Sequence, residues 1–350
     1  MKRILYLIIS MALLSACNVH EWPEQPERVP FCLKLSYDKD MTAWPHRYDG
    51  ADVTEQGVGS TYDNGRTDGK IRYIVRAYPI SGSQRTAQEP AREFVSIKDI
   101  SQGYDHEMTL DLAPGDYSIM VWSDLMEDDG NDPYYNTDNF AEISLQGEHE
   151  AGNDYRDAFR GTGSISLTAD IMEHSPSTLS IAMQRPLAKF EFVTDDVAEF
   201  IAMQTLNMAA GNGGAKSASE DGSAAGVNVE DYQVVFFYVG FMPDTYSMFT
   251  DKPVDSSTGV MFRSSLKALS DSEASMGFDY VFVNGTESSV ALQVGIYNAE
   301  GTRISLSEPI TVPLKRNFHT VLHGMFLTAD ADGGVTIDPD FDGDYNLVFP

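Results

Sequence analysis

The chain has 350 residues, of which 42% are hydrophobic and 11% aromatic, enough to build true cores and too many for a disordered stalk. Its 53 acidic residues against 24 basic ones give a formal net charge of −29, which sets it against nucleic acid as a partner. The cysteines number two, Cys17 and Cys32, so no thiolate metal site can be assembled from them.

The N-terminus opens with Lys2 and Arg3, continues with the apolar stretch Ile4 to Leu14, and reaches Leu14-Ser15-Ala16-Cys17. A basic start, a short apolar run and small residues before a cysteine make a lipoprotein signal peptide over residues 1–16, cut before Cys17. The run falls well short of the roughly 20 residues a spanning helix needs, so it does not cross a membrane. Lipid on Cys17 holds the mature chain to a membrane and removes the disulfide partner of Cys32. Asn18, where an aspartate would favour inner-membrane retention, points to the outer membrane. Residues 17–30 set Pro23, Pro26 and Pro30 among Glu21, Glu24 and Glu27, the composition of a tether.

A first folded unit is expected over residues 31–194. Cys32 reads as a small core residue inside Phe31-Cys32-Leu33-Lys34-Leu35. Ile71, Tyr73, Val75 and Ala77 alternate with Arg72, Ile74 and Arg76, and Met108, Leu110 and Leu112 alternate with Thr109 and Asp111. This period of two predicts half-buried antiparallel strands. Pro114-Gly115 turns the chain into a further strand at Tyr117, Ile119 and Val121, ending near Trp122. With strands at 143–145, 164–167, 179–183 and 187–193, the unit becomes a sandwich of about seven strands.

Asp195 and Asp196 stand before Val197, Phe200 and Ile201, which predicts a short helix to about Asn207 at the start of a second unit, 195–350. Residues 209–226 are mainly Gly, Ala, Ser and Asn and read as a flexible loop, without the Gly-Lys-Ser/Thr of a phosphate-binding loop. Strand patterns follow at 233–239, 279–283, 290–297, 304–306, 310–314, 320–328 and 335–337, with turns at Asn284-Gly285 and Ala299-Glu300-Gly301. The expected fold class is therefore all-β, two tandem antiparallel sandwiches with one or two short helices.

No catalytic motif is present: there is no Gly-x-Ser-x-Gly elbow, no His-Glu-x-x-His and no cysteine placed as a nucleophile, so the chain reads as a non-enzyme without a cofactor. His319 and His323 share one face of a strand at a spacing of about 13 Å, too far apart to ligate one metal. The acidic stretch with Asp124, Glu127, Asp128, Asp129, Asn131 and Asp132 has the oxygen density for calcium but not the EF-hand spacing, and a solvated loop is the simpler reading. Trp44, Tyr48, Tyr134 and Tyr135 lie in polar, loop-like surroundings, where rings either stack on sugars or plug the ends of a sandwich, the commoner use.

Several motifs carry a resemblance. They are Phe31 to Tyr37, Leu112-Ala113-Pro114-Gly115-Asp116-Tyr117, Val121-Trp122-Ser123-Asp124 and Tyr134-Tyr135-Asn136-Thr137. Further along come Tyr155-Arg156-Asp157-Ala158-Phe159-Arg160-Gly161, Arg185-Pro186-Leu187-Ala188-Lys189-Phe190-Glu191-Phe192 and Lys315-Arg316-Asn317-Phe318-His319-Thr320. Together with the lipidation site they resemble the fimbrial anchor and minor-subunit lipoproteins of the Bacteroidales, a fimbrillin-like group. The resemblance implies two transthyretin-like, Greek-key sandwiches, an outer-membrane lipid anchor, other fimbrial subunits as partners, and assembly by strand donation. It also implies processing after an arginine near the first strand, here Arg28 or Arg47, although an anchor would keep its lipidated end. The C-terminal Tyr345-Asn346-Leu347-Val348-Phe349-Pro350 reads equally as a donor segment or as the last strand. A surface lipoprotein that binds host or bacterial glycans is the alternative.

Overall fold

Alternating side chains become strands over most of the described residues. In a computed structural model, residues 28–47, 61–62, 68–127, 134–168, 176–211 and 227–328 are described. The chain begins with β1 (Val29–Tyr37), β2 (Met41–Arg47), β3 (Thr61–Tyr62), β4 (Lys70–Ser81), β5 (Gln84–Arg85), β6 (Arg92–Asp99), β7 (His106–Leu112) and β8 (Gly115–Met126). Its middle carries β9 (Tyr135–Asn136), β10 (Ile143–Leu145), β11 (Ala158–Leu167), β12 (Ser177–Met183), β13 (Leu187–Thr194) and the helix α1 (Val197–Gly211). Then come β14 (Gln233–Tyr238), β15 (Phe241–Ser247), β16 (Lys252–Thr258), β17 (Met261–Ser265) and β18 (Lys267–Ala268). The last are β19 (Ala274–Phe282), β20 (Glu287–Tyr297), β21 (Arg303–Leu306), β22 (Ile310–Lys315) and β23 (Phe318–Gly324).

The first sandwich packs the three-stranded sheet β12-β1-β7 against a five-stranded sheet in which β11, β8 and β4 run side by side and β5 and β6 pair with β4. Val29, Phe31, Leu33 and Leu35 point inward from β1 and meet Ile71, Tyr73, Val75 and Ala77 of β4 and Ile119 and Val121 of β8. Cys32 falls on the other face of β1, so it is not a core residue: it is half-buried and its thiol donates to Glu107 Oε1 at 3.2 Å. That bond to a carboxylate is the main cause pushing the thiol's pKa up, which keeps Cys32 unreactive.

The second sandwich packs the six-stranded sheet β18-β19-β13-β23-β2-β3 against the five-stranded sheet of β17, β14, β20, β21 and β22. Phe190 and Phe192 of β13, Phe236 of β14, Leu292 and Val294 of β20 and Val312 of β22 fill its core. Val197 and Phe200 of α1 close one side of it, as their spacing predicts. The helix runs beyond Asn207 to Gly211 and turns Leu206 out to solvent. Asp196 is buried, and its carboxylate accepts the Thr328 N–H at 2.8 Å and the Thr328 hydroxyl at 2.6 Å, tying the end of the described chain to the helix start.

Three features depart from the expectation of two consecutive antiparallel units. First, β1–β12, β2–β23 and β13–β23 are parallel pairs. Second, β13, read as the last strand of the first unit, pairs with β19 and β23 in the second sandwich, and β2, which follows β1 directly in the chain, joins the same sheet. Third, β4 and β8 are buried on both faces rather than one. Ile74, Tyr78, Met120 and Trp122 on their outer face pack with Tyr135, Phe140, Ile143, Tyr246 and Phe282 in a third core. A small four-stranded sheet, β16-β15-β10-β9, spans that core, and its central pairing sets Ile143 opposite Tyr246. The expected strand at 335–337 and the loop at 209–226 lie largely outside the described residues.

Candidate functional site

The motif residues that looked like scattered packing patterns converge on the third core. Arg185 follows β12, and Pro186 at its back fixes the chain as it passes into β13. Its guanidinium is 1% exposed and forks onto Asp157, Nε to Oδ1 and Nη2 to Oδ2, both at 2.8 Å. Nη1 donates to Asn317 Oδ1 at 2.8 Å and to the Asp38 carbonyl at 3.2 Å, and Nη2 also donates to the Lys39 carbonyl. One side chain therefore holds the β1–β2 crossover, the strand β11 and the β22–β23 turn. Asn317 can occupy that turn because asparagine tolerates its left-handed backbone, φ 66°.

Next to Asp157 in sequence, Arg156 is buried, pairs with Asp279 and donates to the Glu150 carbonyl at 2.9 Å. Asp279, at zero exposure, also accepts from Tyr238 Oη at 2.6 Å and lies 2.7 Å from His149 Nε2. Burial alone would push the Asp279 carboxyl up, but Arg156, His149 and Tyr238 together outweigh it and hold the group below the ordinary carboxylate range. A carboxyl depressed in the folded state adds stability above its unfolded pKa of about 3.9, and that stability is lost as pH falls through the lower folded value. The urea midpoint of the wild type should therefore drop on acidification below about pH 4 more steeply than that of Asp279→Asn; identical slopes would refute the assignment.

Two further buried pairs complete the junction. Arg72 grips Asp124 at 2.9 and 2.6 Å, with Trp122 Nε1 donating to the same carboxylate at 3.1 Å. Lys189 reaches Asp154 at 3.0 Å, where Tyr280 also donates at 2.8 Å, and its ammonium lies 3.8 Å from the Phe278 ring centre.

Beside the bridging sheet a cleft of about 310 Å³ opens between the stretch 145–150 that leaves β10 and the strands β15 and β16. Tyr134, Met242, Leu145 and Val260 give it apolar wall, while Glu148, Glu150, Asp244, Ser257 and Thr258 give it polar groups. His149 and Arg156 line it too, joining the cleft to the Asp279 cluster.

Of the residues singled out in the sequence, Cys17, Leu14, Ser15 and Ala16 lie outside the described residues, as do Tyr48, Asp128, Asp129, Asn131 and Asp132. Asp124 is not a solvated loop ligand for calcium, because it is buried and bound to Arg72 and Trp122. Tyr134 and Tyr135 are 6% and 0% exposed, so their rings are not open platforms for sugar. Tyr135 donates to the Arg156 carbonyl at 2.5 Å and meets Trp122 edge-on at 5.4 Å, while Tyr134 donates to Glu127 at 3.1 Å and keeps one edge in the cleft. Trp44 is half-buried on β2, 6.3 Å from the Phe318 ring. His319 contacts Glu191 at 3.2 Å and His323 contacts Asp195 at 3.1 Å, separate partners as their strand spacing requires. Arg28 reaches Asp111 at 3.2 Å just before β1, and Arg47 ends β2 opposite His323. His149 and Asp279 were not picked out in the sequence, since a lone histidine and a lone aspartate 130 positions apart carry no local signal.

No curated protein matches the chain. Solved structures to which it is similar include a Bacteroides thetaiotaomicron protein described as polysaccharide-binding, at 12% identity and a TM-score of 0.44 over 79% of each chain. The fimbrial anchor protein Mfa2 of Porphyromonas gingivalis is similar at 12% identity and a TM-score of 0.38, over 79% of this chain and 82% of that one. A fimbrial assembly protein of Parabacteroides distasonis is similar at 11% identity and a TM-score of 0.33, over 85% and 91%. Residues 31–350 match the family of unknown function DUF6562, and the chain belongs to that family.

Proposed function

We propose that this protein is a non-enzymatic, lipid-anchored subunit of a fimbria at the outer-membrane surface, closest in role to an anchor and joined to other fimbrial subunits by strand exchange. The observation that carries the reading is the seat of β1. The tether read over residues 17–30 leads straight into the middle strand of a sheet, paired from Phe31 to Tyr37 with β12 and from Val29 to Leu35 with β7. A chain held by its N-terminal lipid requires such a seat, because an edge strand or a frayed end would give way first.

The same slot supports the reading of strand exchange. Leu110, Leu112, Ile181 and Met183 line it, and an extended segment with alternating apolar residues would find main-chain partners on both sides. A chain that keeps β1 fills its own slot and so ends a series instead of extending it. Cleavage after Arg28 would leave β1 in place, whereas cleavage after Arg47 would remove β1 and β2, one strand from each sandwich.

Replacing Cys17 with Ala should move the protein from the membrane fraction to the soluble fraction with its unfolding midpoint unchanged. Continued sedimentation with membranes would sink the lipid anchor. Deleting the gene should shed fimbriae into the medium, and cells that retain them normally would rule out the anchor role.

A further inference from the structure

Three segments of the second sandwich meet beside the start of α1. Asp195 follows β13, His323 is the next-to-last residue of β23, and Glu273 stands in the turn between β18 and β19. One ligand atom from each, an imidazole nitrogen and two carboxylate oxygens, lies within 4.8 Å of the other two, and all three residues are half-buried. Among the described residues no other group of three such side chains converges this closely. The backbone builds the convergence. β13 and β23 run parallel with Val193 opposite His323, and the Asp195 N–H donates to the Gly324 carbonyl at 2.9 Å, which fixes the aspartate beside the histidine. The Val197 N–H donates to the Ser272 carbonyl at 3.1 Å and brings the β18–β19 turn against the helix start. Within that turn the Leu269 and Ser270 N–H groups both donate to the Glu273 carbonyl, at 2.9 and 3.1 Å, and the Glu273 N–H donates to Ser270 Oγ at 3.0 Å.

His323 Nδ1 and Asp195 Oδ1 are 3.1 Å apart and share a proton. That bond does nothing for Glu273, whose half-buried carboxylate has no hydrogen bond or ion pair among the described residues and is held within 4.8 Å of the Asp195 carboxylate. Like charges fixed this close repel, and a cation bonded to all three groups removes the repulsion. The spacing and the donor set choose the ion. Two ligands on a tetrahedral zinc with bonds of about 2.0–2.2 Å stand about 3.3 Å apart, near the 3.1 Å between the imidazole and the Asp195 carboxylate. Calcium and magnesium fill their larger shells with oxygen, whereas an imidazole nitrogen suits zinc. We infer that Asp195, Glu273 and His323 form a zinc site, with the fourth tetrahedral position left to water on the open side of His323, whose side chain is 34% exposed. The ion pins the ends of β13 and β23 to the β18–β19 turn, next to the point where Asp196 holds Thr328. The site is independent of the lipid anchor, of β1 and of the cleft.

The test is calorimetric titration of the full mature chain, free of any histidine tag, with zinc chloride near neutral pH, and with calcium and magnesium chlorides as comparators. One zinc ion per chain should bind with micromolar affinity, the other two ions should not bind at the same concentration, and saturating zinc should raise the thermal unfolding midpoint by a few degrees. Glu273→Gln and His323→Gln should each weaken zinc by about tenfold or more and remove the thermal shift. Glu273→Gln keeps the shape of the turn and relieves the repulsion, so without metal its unfolding midpoint should equal or exceed that of the wild type, and its loss of zinc then reports the site and not the fold. Failure of zinc to bind, calcium binding as tightly as zinc, or zinc binding indifferent to both substitutions would each overturn the proposal.

Discussion

Arg185→Ala should destabilise the protein by about 3–5 kcal/mol, because it leaves the Asp157 carboxylate buried at zero exposure with no counter-charge. The loss extends past the pair. The Asp38 and Lys39 carbonyls and the Asn317 side chain each give up a donor, so the β1–β2 crossover and the β22–β23 turn loosen together. Asp157→Ala should cost a similar amount by stranding the guanidinium. The double variant Arg185→Met, Asp157→Leu should cost much less than the sum of the two, since neither charge is left behind. Urea unfolding followed by tryptophan fluorescence reads all three. A single-variant loss under about 1 kcal/mol, the scale of an exposed pair, would show that the clamp is not what joins these segments.

The second large effect is expected on β1. Phe31→Ala should cost about 3–5 kcal/mol and Leu33→Ala about 2–5 kcal/mol, the range for fully buried side chains whose cavity cannot collapse. Collapse is hindered because β1 is bonded on both edges and cannot shift toward either neighbour without breaking a register. Cys32→Ala lies between them on the opposite, half-exposed face and should stay within about 0.5 kcal/mol of wild type. Equal losses at all three positions would mean that the inward and outward faces of β1 have been misassigned. Hydrogen exchange at β7 and β12 should rise with the Phe31 and Leu33 variants and stay unchanged with the Cys32 variant.

Most strands were legible because alternation is a local property. Ile71 to Ala77 and Tyr117 to Val121 announce themselves, and Gly285 and Gly301 sit at φ 77° and 76° in the turns their neighbours suggest. What escaped was whatever depends on a partner far along the chain. Nothing in Leu187 to Val193 says that it pairs with Asp279 and Thr320 rather than with the strand before it, and nothing in Met41 to Arg47 says that its neighbour lies some 275 positions away. The second face of β4 and β8 was misleading for a related reason. Arg72 and Arg76 beside Ile74 look like a wet surface, yet the arginines are satisfied by Asp124 and Glu93, and the aliphatic and aromatic groups between them are covered. Tyr134 and Tyr135 sit among acidic and amide residues and look exposed for the same reason. Polar flanks conceal burial whenever the polar groups find one another. The cleft was the least legible feature, since its histidine, carboxylates and apolar wall come from positions 134 to 260 and meet only through the pairing of β10 with β15.

The direction in which β1 enters the fold has a mechanical consequence. A pull applied at a membrane-held N-terminus runs along the axis of β1, so its ladders to β7 and β12 are loaded in shear, all bonds sharing the force instead of opening one after another like a zipper. From the far end of β1 the force passes through Asp38 and Lys39, whose carbonyls Arg185 grips, and into β2 in the second sandwich. The line of tension thus bypasses the outer strands of the first sandwich and is delivered to the junction where both halves share a core. If the proposed anchor is present, a molecule wired this way resists being drawn out by it, and its two sandwiches bear the strain as one body.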